Sequence, residues 1–197
     1  MTNRKILKLF YLRLLRYAKR PQALWLLLIL ACAESMFLPF PAMTIFVLVT
    51  LAQHRSALWI ALLVTIASAI GSFGGYAIGY FFWDQLGHIF LANDKVAVFF
   101  NKFDILAEEY GALAVIIAAT TPVPFKLAAI ASGISGMNFL LFAIASSIGR
   151  AIYFFIPATV IYFMGSRAKH LLEKHFYLII ILSIAIALII FLIMKVL

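Results

Sequence analysis

From Gly111 to Met164 the chain is almost continuously apolar, with Lys126 and Arg150 as its charges. One membrane span takes about 20 apolar residues, so this run is far too long for a single helix. Three further apolar runs cover residues 22–53, 57–83 and 176–194. Residues 57–83 and 176–194 each fit one helix, whereas 22–53 is awkward for either one or two. Composition agrees with a membrane solvent: the 197 residues are 66% hydrophobic and 12% charged, against about half and about a quarter in a globular domain. No polar or Pro/Ser-rich linker divides the chain, so one integral membrane domain is expected.

The prolines offer a way to fold the two awkward runs. Pro39 and Pro41 cut the first into arms of about 17 and about 12 residues, and Pro122 and Pro124 cut the run from 111 in a similar way. An arm of 11–12 residues reaches only ~17 Å, well short of the ~30 Å hydrocarbon core. Short helices tipped by a Pro-x-Pro turn meet the needs of a re-entrant hairpin, over about 22–54 and 111–136. Proline-kinked spanning helices are the alternative.

Charge fixes an orientation. Arg4, Lys5, Lys8, Arg13, Arg16, Lys19 and Arg20 precede the first run without an acidic residue among them, and account for most of the net charge of +9. A basic folded domain that would read nucleic acid is lacking. Ile6, Leu7, Phe10, Leu14 and Tyr17 recur at helical spacing, so residues 1–20 read as an amphipathic segment on an anionic cytoplasmic leaflet. If 22–54 dips in and returns, Arg55 is cytoplasmic too. Residues 57–83 then cross, 84–110 form an acidic external loop, and 137–164 cross back to Arg167, Lys169 and Lys174, as the positive-inside rule expects. A broken Pro-x-Pro element followed by a Gly-containing span thus occurs twice, a weak internal repeat of the kind seen in transporters.

Three charges lie deep in apolar sequence: Glu34, Lys126 and Arg150. An intramembrane ionisable residue is a functional hypothesis by default. Glu34 is a candidate for taking up and releasing a proton, or else a partner for a basic residue or a backbone amide. Lys126 and Arg150 suit a phosphate, Arg as a bidentate donor and Lys as a point charge. Thr120, Thr121, Ser132 and Ser146 could complete a polar pocket, or bond back to helix carbonyls. Gly71, Gly75 and Gly79 share one helical face suited to close packing, and Cys32 reads as a small packing residue. The four histidines show no metal spacing, no catalytic set converges, and no cofactor is expected.

Ala33-Glu34-Ser35 with Pro39-x-Pro41, then the Gly71–Gly79 helix, resembles the first half of the DedA family, whose core is also called the VTT or SNARE-associated Golgi-protein domain. TPVPFKLAAIASGISGMNFLLFAIASSIGR resembles its second half, with Pro122 at the hairpin proline and Gly133, Met137, Phe142 and Gly149 downstream. The resemblance runs from about residue 22 to 165 and is nearest the YqaA-like branch. The main family pattern has arginines three residues either side of that proline; here those positions are Ala119 and Phe125, with Lys126 one place later. Ser146 replaces a usual asparagine, and Arg150 is added. The resemblance implies a polytopic bacterial inner-membrane protein whose relatives move phospholipids or polyprenyl-phosphate carriers between leaflets, in some cases linked to the proton gradient.

The expected fold is therefore an all-α polytopic membrane protein: a basic segment at 1–20, a membrane domain at 21–165 with an inverted pair of re-entrant hairpins, and a basic loop and final helix at 166–197. The expected function is translocation of a phosphate-headgroup lipid, with Glu34 coupling to protons and Lys126 and Arg150 binding phosphate. A membrane-organising protein with structural charges, or a lipid-headgroup enzyme, are the alternatives. Membrane lipids are the expected partners, nucleic acid is not, and a homo-oligomer is left open.

Overall fold

The computed structural model describes residues 17–36, 42–91, 94–121 and 125–165. Among them the chain is helical and forms no strand. The first apolar run gives α1 (Pro21–Met36) and α2 (Ala42–Ala52), and a 3-10 turn at His54–Ser56 leads into α3 (Ala57–Leu91). Then follow α4 (Asp94–Tyr110), α5 (Ala112–Thr120), α6 (Phe125–Ile134) and α7 (Phe139–Met164). Both awkward runs are thus divided, the first into two short helices and the second into two short helices and the long α7. Pro39, Pro41, Pro122 and Pro124 lie outside the described residues, as do the basic segment up to residue 16 and the apolar run 176–194.

Local chemistry places the helix ends. Pro21 opens α1, where its missing N–H costs nothing. The Asn138 side chain accepts from the Leu141 amide at 3.2 Å and caps α7. Gly165, at φ 50°, ends α7 in the left-handed region that favours glycine. Gly111, at φ 55°, makes the joint between α4 and α5.

The acidic segment 84–110 is not a loop. α3 continues to Leu91, and Asp94–Tyr110 is a helix of 17 residues. Its physical reason is amphipathic: Phe100 and Phe103 are buried against α5 and α6, while Asn101, Lys102, Asp104 and Glu108 face outward.

A few contacts set the arrangement. Gln53 Nε2 donates to the Ala18 carbonyl at 2.9 Å, so the end of α2 returns to the start of α1. A Cβ added at Gly165 would lie 3.7 Å from the His54 ring, which puts the end of α7 beside the start of α3. At the other end of α7, the Phe139 ring meets Phe73 and Tyr76 at 5.4 Å, and the Tyr76 hydroxyl donates to the Met137 carbonyl. α3 and α7 therefore run antiparallel. α1 and α2 pack around the first half of α3 and the last half of α7, in a core that includes Leu27, Phe46, Ile60 and Phe154. α4, α5 and α6 pack around the remaining halves, in a second core that includes Val115, Ile130 and Phe142.

Glycines bring the backbones close. A Cβ at Gly71 would sit 2.0 Å from the Cys32 carbonyl oxygen on α1, and one at Gly79 2.1 Å from that of Ile130 on α6. Gly75, between them, faces Ala129 and the carbonyls of Ser35 and Met36. One glycine face of α3 thus seats both broken pairs.

The outer surface is apolar. Trp59, Ile66, Ile70 and Tyr80 on α3, and Ile144, Ile148, Ile152 and Ile156 on α7, are well exposed. Among the described residues two helices are long and apolar enough to cross a membrane, His54–Trp83 and Phe139–Met164. The exposed aromatics Trp59 and Tyr80 stand ~31 Å apart along α3, close to the ~30 Å hydrocarbon thickness at whose edges such side chains collect.

Candidate functional site

Between the two apolar cores lies a polar seam at mid-length of α3 and α7. Arg150 on α7 is 4% exposed, and burying a guanidinium so deeply requires partners. Its Nε donates to Ser68 Oγ on α3 at 2.5 Å, and its Nη2 to Ser35 Oγ on α1 at 3.1 Å. The two serine oxygens are 2.7 Å apart and share a hydrogen bond. Three rings surround the cation: Cζ lies 5.3 Å from the centroid of Phe125, 5.0 Å from Tyr153 and 5.1 Å from Phe154. Their negative faces attract the charge but supply no lone pair to accept a hydrogen bond. Among the described residues, hydrogen bonds from Arg150 go to hydroxyls and none to a carboxylate.

Glu34 sits next to this network without closing onto it. Its Oε2 accepts the Ala42 amide at 2.9 Å, which caps the first turn of α2 and spans the break after α1. Arg150 and Lys126 both lie within electrostatic reach of the carboxylate. The three charges come from α1, α6 and α7, with Arg150 buried and Glu34 and Lys126 half-buried. Of the two structural partners the sequence allowed Glu34, a basic residue or a backbone amide, the amide holds the direct bond.

The seam continues along α3. Ser72 Oγ lies 3.5 Å from Ser146 Oγ on α7, a contact at the long limit for a hydrogen bond. These contacts occupy equivalent places in the two halves. Arg150 follows Gly149 as Ser72 follows Gly71, and Ser146 precedes Gly149 by three residues as Ser68 precedes Gly71. The glycines match as well: a Cβ at Gly149 would lie 2.9 Å from the Ile116 carbonyl on α5, as one at Gly71 would strike α1. Each of the two long helices is therefore seated on the first arm of its own broken pair, and the two cross each other through equivalent side chains.

The chain matches the VTT domain over residues 38–167. It belongs to the VTT-domain family. The match takes in α2 through α7, and so Ser68, Lys126 and Arg150; Glu34 and Ser35 stand just ahead of it. A Haemophilus influenzae protein described as uncharacterized is 27% identical over 170 residues, covering 86% of this chain and 88% of its own length. No solved structure matches. Family and apolar surface together make this a membrane protein of the VTT, or DedA, family.

The hydroxyls singled out in the sequence divide. Thr120 donates to the Ile116 carbonyl, Thr121 to Ala118 and Ser132 to Ala128, each within its own helix. Ser146 also bonds back, to Ala143, and touches the seam through Ser72. The hydroxyls on Arg150 are Ser35 and Ser68, which sequence reasoning passed over. Their signal was available in one respect: Ser68 stands three residues before Gly71, on the face that approaches α1 and α7.

Proposed function

We propose that this VTT-domain protein moves a phosphate-headgroup lipid between membrane leaflets, binding the headgroup in the seam through Arg150 and Lys126 and using Glu34 to couple the step to protons. The observation that carries the reading is Arg150, buried at mid-span and hydrogen-bonded to neutral hydroxyls alone among the described residues. A membrane-embedded cation that costs several kcal/mol to bury marks a substrate path more often than a strut. The family resemblance adds support. Where its main pattern has arginines, this chain has Ala119 and Phe125; Phe125 lies against the Arg150 guanidinium, and a Cβ on Gly149 would be 2.5 Å from that of Ala119. In this reading Arg150, on α7, stands in for the arginines of the family pattern, and its closeness to Phe125 supports this.

In this reading the α1–α2 and α5–α6 pairs are re-entrant hairpins entering from opposite faces, α3 and α7 span the bilayer, and lipid tails stay in the bilayer while the headgroup passes the seam. The protein sits in a bacterial inner membrane with its N-terminus cytoplasmic, in the YqaA-like branch. The return of Gln53 to Ala18 supports the first hairpin, because an arm as short as α2 reaches only ~17 Å.

The test is translocation of labelled phospholipid and of polyprenyl phosphate by purified protein in liposomes, with and without a pH gradient. Wild type is expected to move one of them, Arg150→Met to abolish movement, and Glu34→Gln to remove the response to the gradient. The rival reading, in which the charges only hold the hairpins, takes its support from the Glu34 cap on α2. It wins if wild type moves neither lipid while both variants melt lower.

A further inference from the structure

The hydrogen-bond inventory around Arg150 does not balance. A guanidinium has five N–H donors. One edge, Nε with Nη2, is engaged by the Ser68 and Ser35 hydroxyls, whose oxygens stand 2.7 Å apart. A bidentate oxyanion presents two oxygens to such an edge in the same manner. The opposite edge, Nη1 with the second Nη2 hydrogen, meets no acceptor among the described residues. The serines add to the excess. Each accepts from Arg150 and they share one hydrogen, which leaves one hydroxyl proton without an acceptor among the described residues.

Other buried hydroxyls behave differently. Ser72 and Ser132 donate to carbonyls of their own helices, and so does Thr50. Thr65, one turn before Ser68 on α3 and 7% exposed, is a buried hydroxyl with no hydrogen-bond partner among the described residues. The middle of the seam is thus rich in donors and poor in acceptors. Arg150 Nη1 is not among the fully buried side-chain atoms without a partner, so its edge stays open to a ligand, and one group that satisfies several such donors at once is an oxyanion.

We infer that Ser35 and Ser68 are positioning residues for an oxyanion site: they hold the Nε–Nη2 edge of Arg150 and so aim its opposite edge, together with the spare serine hydroxyl, at phosphate oxygens. The inference rests on the proposed function for the identity of the phosphate as a lipid headgroup. The geometry alone serves a lipid phosphate or free phosphate equally. It also ties α1 to substrate, since Ser35 and the Glu34 cap on α2 are adjacent in that helix.

Equilibrium binding of radiolabelled inorganic phosphate and of short-chain phosphatidic acid to the full chain in maltoside micelles tests this. Wild type should bind phosphatidic acid, and Ser35→Ala or Ser68→Ala should weaken binding about tenfold, the size expected for a hydrogen bond to a charged group. Arg150→Lys keeps the charge but has no edge to orient. In that background Ser68→Ala should weaken binding by less than about twofold, the non-additivity of residues acting as a unit. A merely structural serine would lower the melting temperature and weaken binding equally in both backgrounds, which overturns the inference. So does tighter binding in the alanine variants, which would make the serines competitors of the anion. Failure of folded wild type to bind either phosphate also overturns it. Should Ser68→Ala not accumulate, Ser35→Ala tests the same edge through Nη2. Equal preference for free phosphate, or binding without translocation in liposomes, leaves the positioning role standing and removes the translocase reading instead.

Discussion

Glu34 caps α2 and, in the proposed function, also carries a proton; a substitution series can separate the two. As a cap it needs only an acceptor for the Ala42 amide; as a proton carrier it needs an ionisable group. Glu34→Gln keeps a carbonyl oxygen in place, so the thermal melt of the purified protein should stay near wild type. Glu34→Ala removes the acceptor and should cost about 1 kcal/mol, the usual worth of a helix cap. Equal destabilisation by both variants would mean that the charge, through Arg150 and Lys126, matters more to folding than the cap does. That these three charges need partners was visible in the sequence, because charge is rare in such apolar runs. That Arg150 would take serines as its partners was not. Ser35 and Ser68 stand 115 and 82 positions from it in the chain, and no local period links residues so far apart.

Helix packing in this molecule is decided by backbone approach rather than by large side chains. The Gly71–Gly75–Gly79 face was legible from its spacing of four, as were the breaks between α1 and α2 and between α5 and α6 from their prolines. The partners of that face were not: Gly71 meets α1, whereas Gly79 meets α6. Gly79→Ala and Gly133→Ala would each drive a methyl to within about 2.2 Å of a carbonyl on the facing helix. Backbone cannot step aside as a side chain can, so each variant should lower the yield of folded protein sharply. Gly74→Ala is the control. Its Cβ would meet the flexible Met36 side chain at 3.0–3.2 Å, and the variant should melt within a few degrees of wild type. α4 was missed for an opposite reason: its charges drew attention and hid the spacing of Phe99, Phe100, Phe103 and Ala107, which forms a buried stripe.

At the scale of the whole molecule, a polar seam lies between two apolar cores, and the placing of the two broken pairs explains why it falls at mid-length of α3 and α7. The two broken pairs cover different halves of α3 and α7, so their boundary falls near the middle of both helices. A seam there is reached from either face only if the short arms turn back within the bilayer instead of crossing it. This is what impermeant maleimide labelling of single cysteines, in a Cys32→Ala background, can decide. Lys19→Cys and Arg55→Cys should label from one side, because Gln53 binds the Ala18 carbonyl there. Glu109→Cys should label from the other. Met36→Cys, at the end of α1, separates the possibilities for the first pair. In a re-entrant pair it stops short of the far interface and stays unlabelled from the Glu109 side, whereas a pair that crosses fully would expose it there. Labelling at that position would put the seam behind a complete helical wall, where no headgroup held outside the bilayer could reach Arg150 without opening α1 from α3.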